Sequence, residues 1–173
     1  MREELKKDIN YFYLIISVLL WIVSIGWMTI IFILSSDPAT VSTEKSTLAV
    51  DLVLYFFKLS IPEVVMRKCF HVFEFAFLAF TCYFSAYTTN FISDRFMFDI
   101  VGSYTVKSIN EVAILVSLWL SVLWAALDEY HQLFVQGRSG SFYDLILDVA
   151  GIVVTLALIR IASVIREKKS NNR

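Results

Sequence analysis

The sequence predicts an all-α integral membrane protein: four transmembrane helices in a small bundle, with a short interfacial helix in the first extracellular loop. Three observations lead there. Of the 173 residues, 58% are hydrophobic and the mean hydropathy is +0.68, against roughly 45–50% apolar residues in an average soluble domain. Residues 11–34, 112–127 and 149–159 carry no charge at all. Only five glycines and two prolines are present, so long helices are rarely interrupted. Residues 1–173 read as one membrane domain, without an internal repeat or a separate soluble part.

The net charge of −1 argues against nucleic acid as a partner. Cys69 and Cys82 both fall in one apolar run. They make no disulfide framework and lack zinc-ligand spacing, and they read as buried, inert thiols.

Taken in order, the chain begins with a charged stretch, Arg2 to Asp8, before the uncharged run Tyr11–Leu34. About 20 apolar residues span a bilayer, so this run is the first span. A signal peptide would have a shorter apolar core and a small-residue cleavage site. Ser35-Ser36-Asp37-Pro38 closes it, and a polar stretch with Thr40, Ser42, Thr43, Ser46 and Thr47 follows. Leu48–Leu59 is apolar, with Asp51 and Lys58 interposed, and too short to cross, which predicts an interfacial or re-entrant helix. The break at Ile61-Pro62-Glu63 precedes the second span, at about 69–92, rich in phenylalanine and interrupted by His71 and Glu74. A mixed-charge loop with Asp94, Arg95, Asp99 and Lys107 leads to the third span, at about 112–131. The glycine-containing turn Gln136–Ser141 reverses the chain into the fourth, at about 145–165, where Ser139 or Ser141 can cap the helix. Arg166, Lys168, Lys169 and Arg173 form a basic tail suited to anionic lipid.

Four spans put both termini on one side. With both termini cytoplasmic, Arg2, Lys6, Lys7, Arg95, Lys107, Arg160, Arg166, Lys168, Lys169 and Arg173 lie inside, and Lys45, Lys58, Arg67, Lys68 and Arg138 outside. That excess agrees with the positive-inside rule and predicts a multi-pass protein of the cell membrane. The same topology gathers the polar residues. The end of span one (Ser35, Ser36), the start of span two (His71, Glu74), the end of span three (Asp128–Gln132) and the start of span four (Arg138–Asp148) share the outer face.

The stretch from Asp128 to Asp148 packs four acids, a histidine, two glutamines and an arginine between apolar runs. Ionisable groups beside membrane spans are costly and mark functional sites by default. Asp128, His131 and Gln132 share a face of span three by spacings of three and four, and so do Asp144 and Asp148 on span four. Three readings stand open. The cluster is a structural lock, with Arg138 paired to Asp144 or Glu129, and His71 to Glu74 or Asp128. It is a recognition site, where Gly137-Arg138-Ser139-Gly140 before a helix N-terminus seats an anion. Or it is catalytic, with Glu74, Asp128, Glu129 and His131 as acid–base candidates and His71, Asp128 and His131 as candidate ligands of a divalent metal. The sequence itself requires no cofactor.

Three blocks resemble the VanZ-like family of bacterial membrane proteins. They are Ile31 to Pro38; Arg67-Lys68-Cys69-Phe70-His71-Val72-Phe73-Glu74-Phe75; and the stretch from Asp128 to Gly151, similar to the family's acid-Glu-x-His-Gln-x-Phe, Gly-Arg-Ser-Gly and Asp-x-x-x-Asp-x-x-Gly series. The chain departs from the pattern at Phe75, Asp37 and Gln136, where tyrosine, glutamine and proline are frequent. The resemblance implies a Gram-positive cell-envelope protein and links it to low-level resistance to the glycopeptide teicoplanin. The expectation is an outward-facing pocket of His71, Glu74, Asp128, Glu129, His131, Gln132, Arg138, Asp144 and Asp148. It would meet an anionic or lipid-linked envelope precursor, or the glycopeptide. The alternative is a membrane-embedded, metal-dependent hydrolase or transferase acting on a lipid-linked precursor.

Overall fold

The computed structural model of the protein describes residues 9–92 and 109–172. The charged residues 2–8, the loop charges Asp94, Arg95, Asp99 and Lys107, and Arg173 lie outside the described residues. Among the described residues the chain is five helices without a strand: α1 (Tyr11–Ser35), α2 (Ala39–Phe57), α3 (Glu63–Thr89), α4 (Ile109–Gln132) and α5 (Phe142–Asn171). Helices α1, α3, α4 and α5 are long and apolar enough to cross a membrane, which makes this a multi-pass membrane protein.

Helix α1 starts where Asn10 Oδ1 accepts the backbone N–H groups of Phe12 and Tyr13, at 3.2 and 3.4 Å, a side-chain cap for otherwise unpaired donors. Its buried positions Ser17, Ser24, Ile31 and Ser35 form one stripe facing the bundle. Small side chains let two helices approach closely in a bilayer, and hydroxyls then bond across the gap. Ser17 Oγ and Thr89 Oγ1 lie 2.7 Å apart, and Ser24 Oγ and Ser85 Oγ 3.1 Å apart. Trp21 donates to Thr89 Oγ1 at 3.0 Å and Trp27 to the Glu74 carbonyl at 2.9 Å. A double-mutant cycle of Ser24→Ala and Ser85→Ala, read by thermal unfolding in detergent, is expected to give a coupling of about 0.6 kcal/mol. Zero coupling would remove this bond from the links between α1 and α3.

Helix α2 is longer than the sequence suggested. It begins at Ala39, after Pro38, and takes in the whole Ser/Thr-rich stretch. The hydroxyls of Ser46 and Thr47 bond back to the carbonyls of Ser42 and Thr43, at 2.9 and 3.0 Å, so they satisfy themselves inside the helix. Lys58, with φ of 55°, ends it in the left-handed conformation. Spans two and four also extend beyond their apolar runs, because Arg67, Lys68, Arg166, Lys168 and Lys169 are helical. Apolar length reports bilayer thickness, whereas the helix continues into the interface.

Helix α3 is the hub and packs against each of the other four. Phe75, Leu78, Ala79 and Cys82 are fully buried along it, and Gly151 of α5 lies directly against Val72. Cys69 corrects the expectation of two buried thiols: only Cys82 is buried and Cys69 is exposed. Cys69 shares an exposed stripe of α3 with Val65 and Phe73. An apolar run does not reveal which of its faces meets lipid and which meets the bundle.

Candidate functional site

The end of α1, the start of α3, the end of α4 and the start of α5 meet at one end of the bundle. Asp128 and Gln132, one turn apart on α4, both point inward. Ser35 Oγ donates to Asp128 Oδ2 at 2.8 Å, and Gln132 Nε2 donates to the same oxygen at 2.9 Å. The other oxygen, Asp128 Oδ1, has no hydrogen-bond partner among the described residues, and neither has Asp148 Oδ2. Asp148 is 1% exposed.

The turn between α4 and α5 is tied down at both sides. Gly137 takes φ of 74°, which glycine adopts freely. The Ala39 N–H donates to the Gln136 carbonyl at 3.2 Å, docking the turn on the start of α2. Arg138 Nε donates to the Asp37 carbonyl at 2.9 Å and Nη2 to the Leu34 carbonyl at 3.4 Å. A guanidinium there meets carbonyls at the C-terminal end of α1 and complements its dipole. The Ser141 N–H, at the start of α5, donates to Glu129 Oε2 at 2.7 Å. One N–H at this helix N-terminus, that of Ser141, is therefore taken by the chain's own carboxylate.

Of the expected ion pairs, His71 with Glu74 is present as a long contact, and those of Arg138 are not. Lys68 of α3 pairs with Asp144 of α5. Arg138 bonds backbone carbonyls rather than Asp144 or Glu129. His71 Nδ1 stands 3.8 Å from Glu74 Oε2, too far for a hydrogen bond. Arg67 Nη1 lies 3.5 Å from Glu63 Oε1, one turn back on its own helix.

Two cavities open beside these groups. One, of about 150 Å³, is bounded by Lys68, Glu129, Asp144 and Asp148. The other, of about 290 Å³, is bounded by Ser35, Asp37, Phe70 and Glu74. Ser42, Arg67, His71 and Arg138 line both, so two guanidiniums stand at the partition. Burial and then the nearby Arg67 charge push the Arg138 pKa below its ordinary value, yet a guanidinium keeps its proton at any physiological pH. Two confined cations favour an anion between them.

His131 lies apart. Its Nε2 is 3.1 Å from Ser36 Oγ and its ring packs on Phe32 with centroids 4.4 Å apart. It lines neither cavity. The metal candidates His71, Asp128 and His131 do not converge, and among the described residues no group of three or more His, Cys, Asp or Glu is placed to hold a metal ion.

The polar end is thus assembled from the same blocks that the sequence singled out. A family model described as VanZ/LLP1 matches residues 20–163. The chain belongs to the VanZ/LLP1 family. No curated protein and no solved structure matches it. The VanZ/LLP1 match takes in every residue at the polar end, from Ser35 to Asp148. Of the expected pocket residues, His71, Glu129, Gln132, Arg138, Asp144 and Asp148 line the first cavity, Glu74 lines the second, and Asp128 lies buried behind. Arg67, Lys68 and Ser35 join them, although sequence reasoning left them out of the site. Their signal was present: Arg67 and Lys68 precede His71 by four and three residues, the spacing of one helix face.

Proposed function

We propose that this VanZ/LLP1 protein binds an anionic or lipid-linked component of the bacterial envelope in its polar pocket. In this reading both termini are cytoplasmic and the pocket faces outward. The orientation is supported by Arg160, Arg166, Lys168 and Lys169, which cluster towards the other end of α5. The single observation that carries the binding reading is the state of Arg67. Lys68 is committed to Asp144 and Arg138 to two carbonyls. Among the described residues Arg67 has only the long contact to Glu63, and it lines both cavities. Of the described cations at the partition, it is the one left to take a ligand.

Size separates the component from the drug. Pockets that enclose ordinary drug-sized ligands measure roughly 300–1,000 Å³, and a glycopeptide is larger still. Cavities of about 150 and 290 Å³ suit a head group. The teicoplanin resistance that the family resemblance implies would then arise through an envelope component rather than by capture of the antibiotic.

The test is binding of short-chain phosphatidylglycerol to the full chain in a non-ionic detergent. Saturable binding is expected, weakened about tenfold in Arg67→Gln, the loss of one hydrogen bond to a charged group. The same affinity in both proteins would count against the pocket. In a sensitised host, Arg67→Gln present at normal level is expected to lose protection against teicoplanin.

A further inference from the structure

The first cavity carries both signs of charge. Arg67 lines it, and among the described residues its guanidinium has only the 3.5 Å contact to Glu63. Asp148 lines it too, 1% exposed, with Oδ2 lacking any partner among the described residues. Two more carboxylates, Glu129 and Asp144, line the same cavity as Asp148. Both are engaged: Asp144 by Lys68 and Glu129 by the Ser141 N–H. A phosphate alone would satisfy Arg67 and leave the Asp148 side unanswered. An unpaired acceptor in a low-dielectric site is costly, and a donor that reaches it gains correspondingly.

We propose that the pocket selects a zwitterionic head group, its phosphate held by Arg67 and its primary ammonium donating to Asp148. This deepens the binding reading above and rests on it. The ligand class is a phosphate linked through a short spacer to a primary amine. A small cavity of about 150 Å³ fits such a group and leaves any acyl chain outside, in the bilayer. Asp148 supplies the acceptor and the surrounding carboxylates supply the field that favours a cation there. Because the acceptor needs an N–H donor, a quaternary trimethylammonium head group of similar size answers it poorly.

The experiment compares four probes on the full chain in non-ionic detergent: short-chain phosphatidylethanolamine, phosphatidylcholine and phosphatidylglycerol, and free phosphoethanolamine. Wild type is expected to bind the ethanolamine lipid about tenfold tighter than either other lipid. Asp148→Asn, nearly the same shape, is expected to remove that preference while binding of phosphatidylglycerol persists. Phosphoethanolamine competing as well as the lipid assigns the site to the free head group, and weaker competition assigns it to the lipid. Either result supports the proposal. Equal affinity of wild type for the three lipids overturns it without touching the binding reading, and does so even if the variant fails to fold. A preference that survives Asp148→Asn also overturns it. If no probe binds saturably, the binding reading falls first and this one with it.

Discussion

Gly151→Val is expected to leave little folded protein in the membrane. A Cβ at Gly151 would stand 2.8 Å from Val72 Cγ1 and 3.0 Å from the Val72 carbonyl oxygen. The first atom belongs to a side chain of restricted rotamer, and the second to the backbone of α3 itself. Neither yields without moving one helix off the other. Overpacking a close contact costs about 1–3 kcal/mol, occasionally more, and valine at a backbone-to-helix contact belongs at the top of that range. Gly26 is the control, because a Cβ there meets nothing within 4 Å. Size-exclusion profiles of the two variants from equal cultures are the measurement. Gly26→Val should run as wild type and Gly151→Val should be lost or aggregated. A normal profile for Gly151→Val would mean that α5 does not seat on α3 as described.

The second large effect is expected at Gly140. Its Cβ would meet the Glu129 carbonyl oxygen, and would stand 3.0 Å from Leu133 Cδ2. The carbonyl belongs to the last turn of α4, so Gly140→Ala pries the ends of α4 and α5 apart. The bond from the Ser141 N–H to Glu129 opens with them. The variant is expected to lose about 1–3 kcal/mol of stability, and its folded fraction is expected to lose the binding of phosphatidylglycerol. Gly137→Ala should be milder, since it meets Ala39 Cβ at 3.1 Å and carries mainly the strain of φ at 74°. If Gly140→Ala keeps full binding, the pocket does not depend on this turn.

The spans were legible because the bilayer imposes a length and an absence of charge that Tyr11–Leu34 displays without interruption. Their ends were not, because charged residues such as Arg67 and Lys169 continue a helix as readily as apolar ones do. The pocket's location was legible from topology: four spans can bring Ser35, His71, Asp128 and Asp148 only to the same end. Its pairing was not. Arg138 bonds the carbonyls of Leu34 and Asp37, and carbonyls at a helix end are invisible in an alphabet of side chains. His131 shows a second limit. Spacings of three and four place it and Gln132 on one face with Asp128, but on opposite flanks, about 100° apart at 3.6 residues per turn. Gln132 turned inward to Ser35 and His131 turned out to Ser36 and Phe32.

The hub position of α3 has a consequence for how the protein is made. Of the four spans, α1 is the most apolar and the least buried, while α3 is the least apolar and the most buried. The first can enter a bilayer on its own account and stay there. The other brings Arg67, Lys68, His71 and Glu74 with it, and lipid offers these groups nothing. On emerging, α3 finds the hydroxyl and indole groups of α1 waiting for Ser85, Thr89 and the Glu74 carbonyl. Its Lys68 stays unpaired until Asp144 arrives on α5. The weakest membrane segment is thus escorted by an earlier span and closed by a later one.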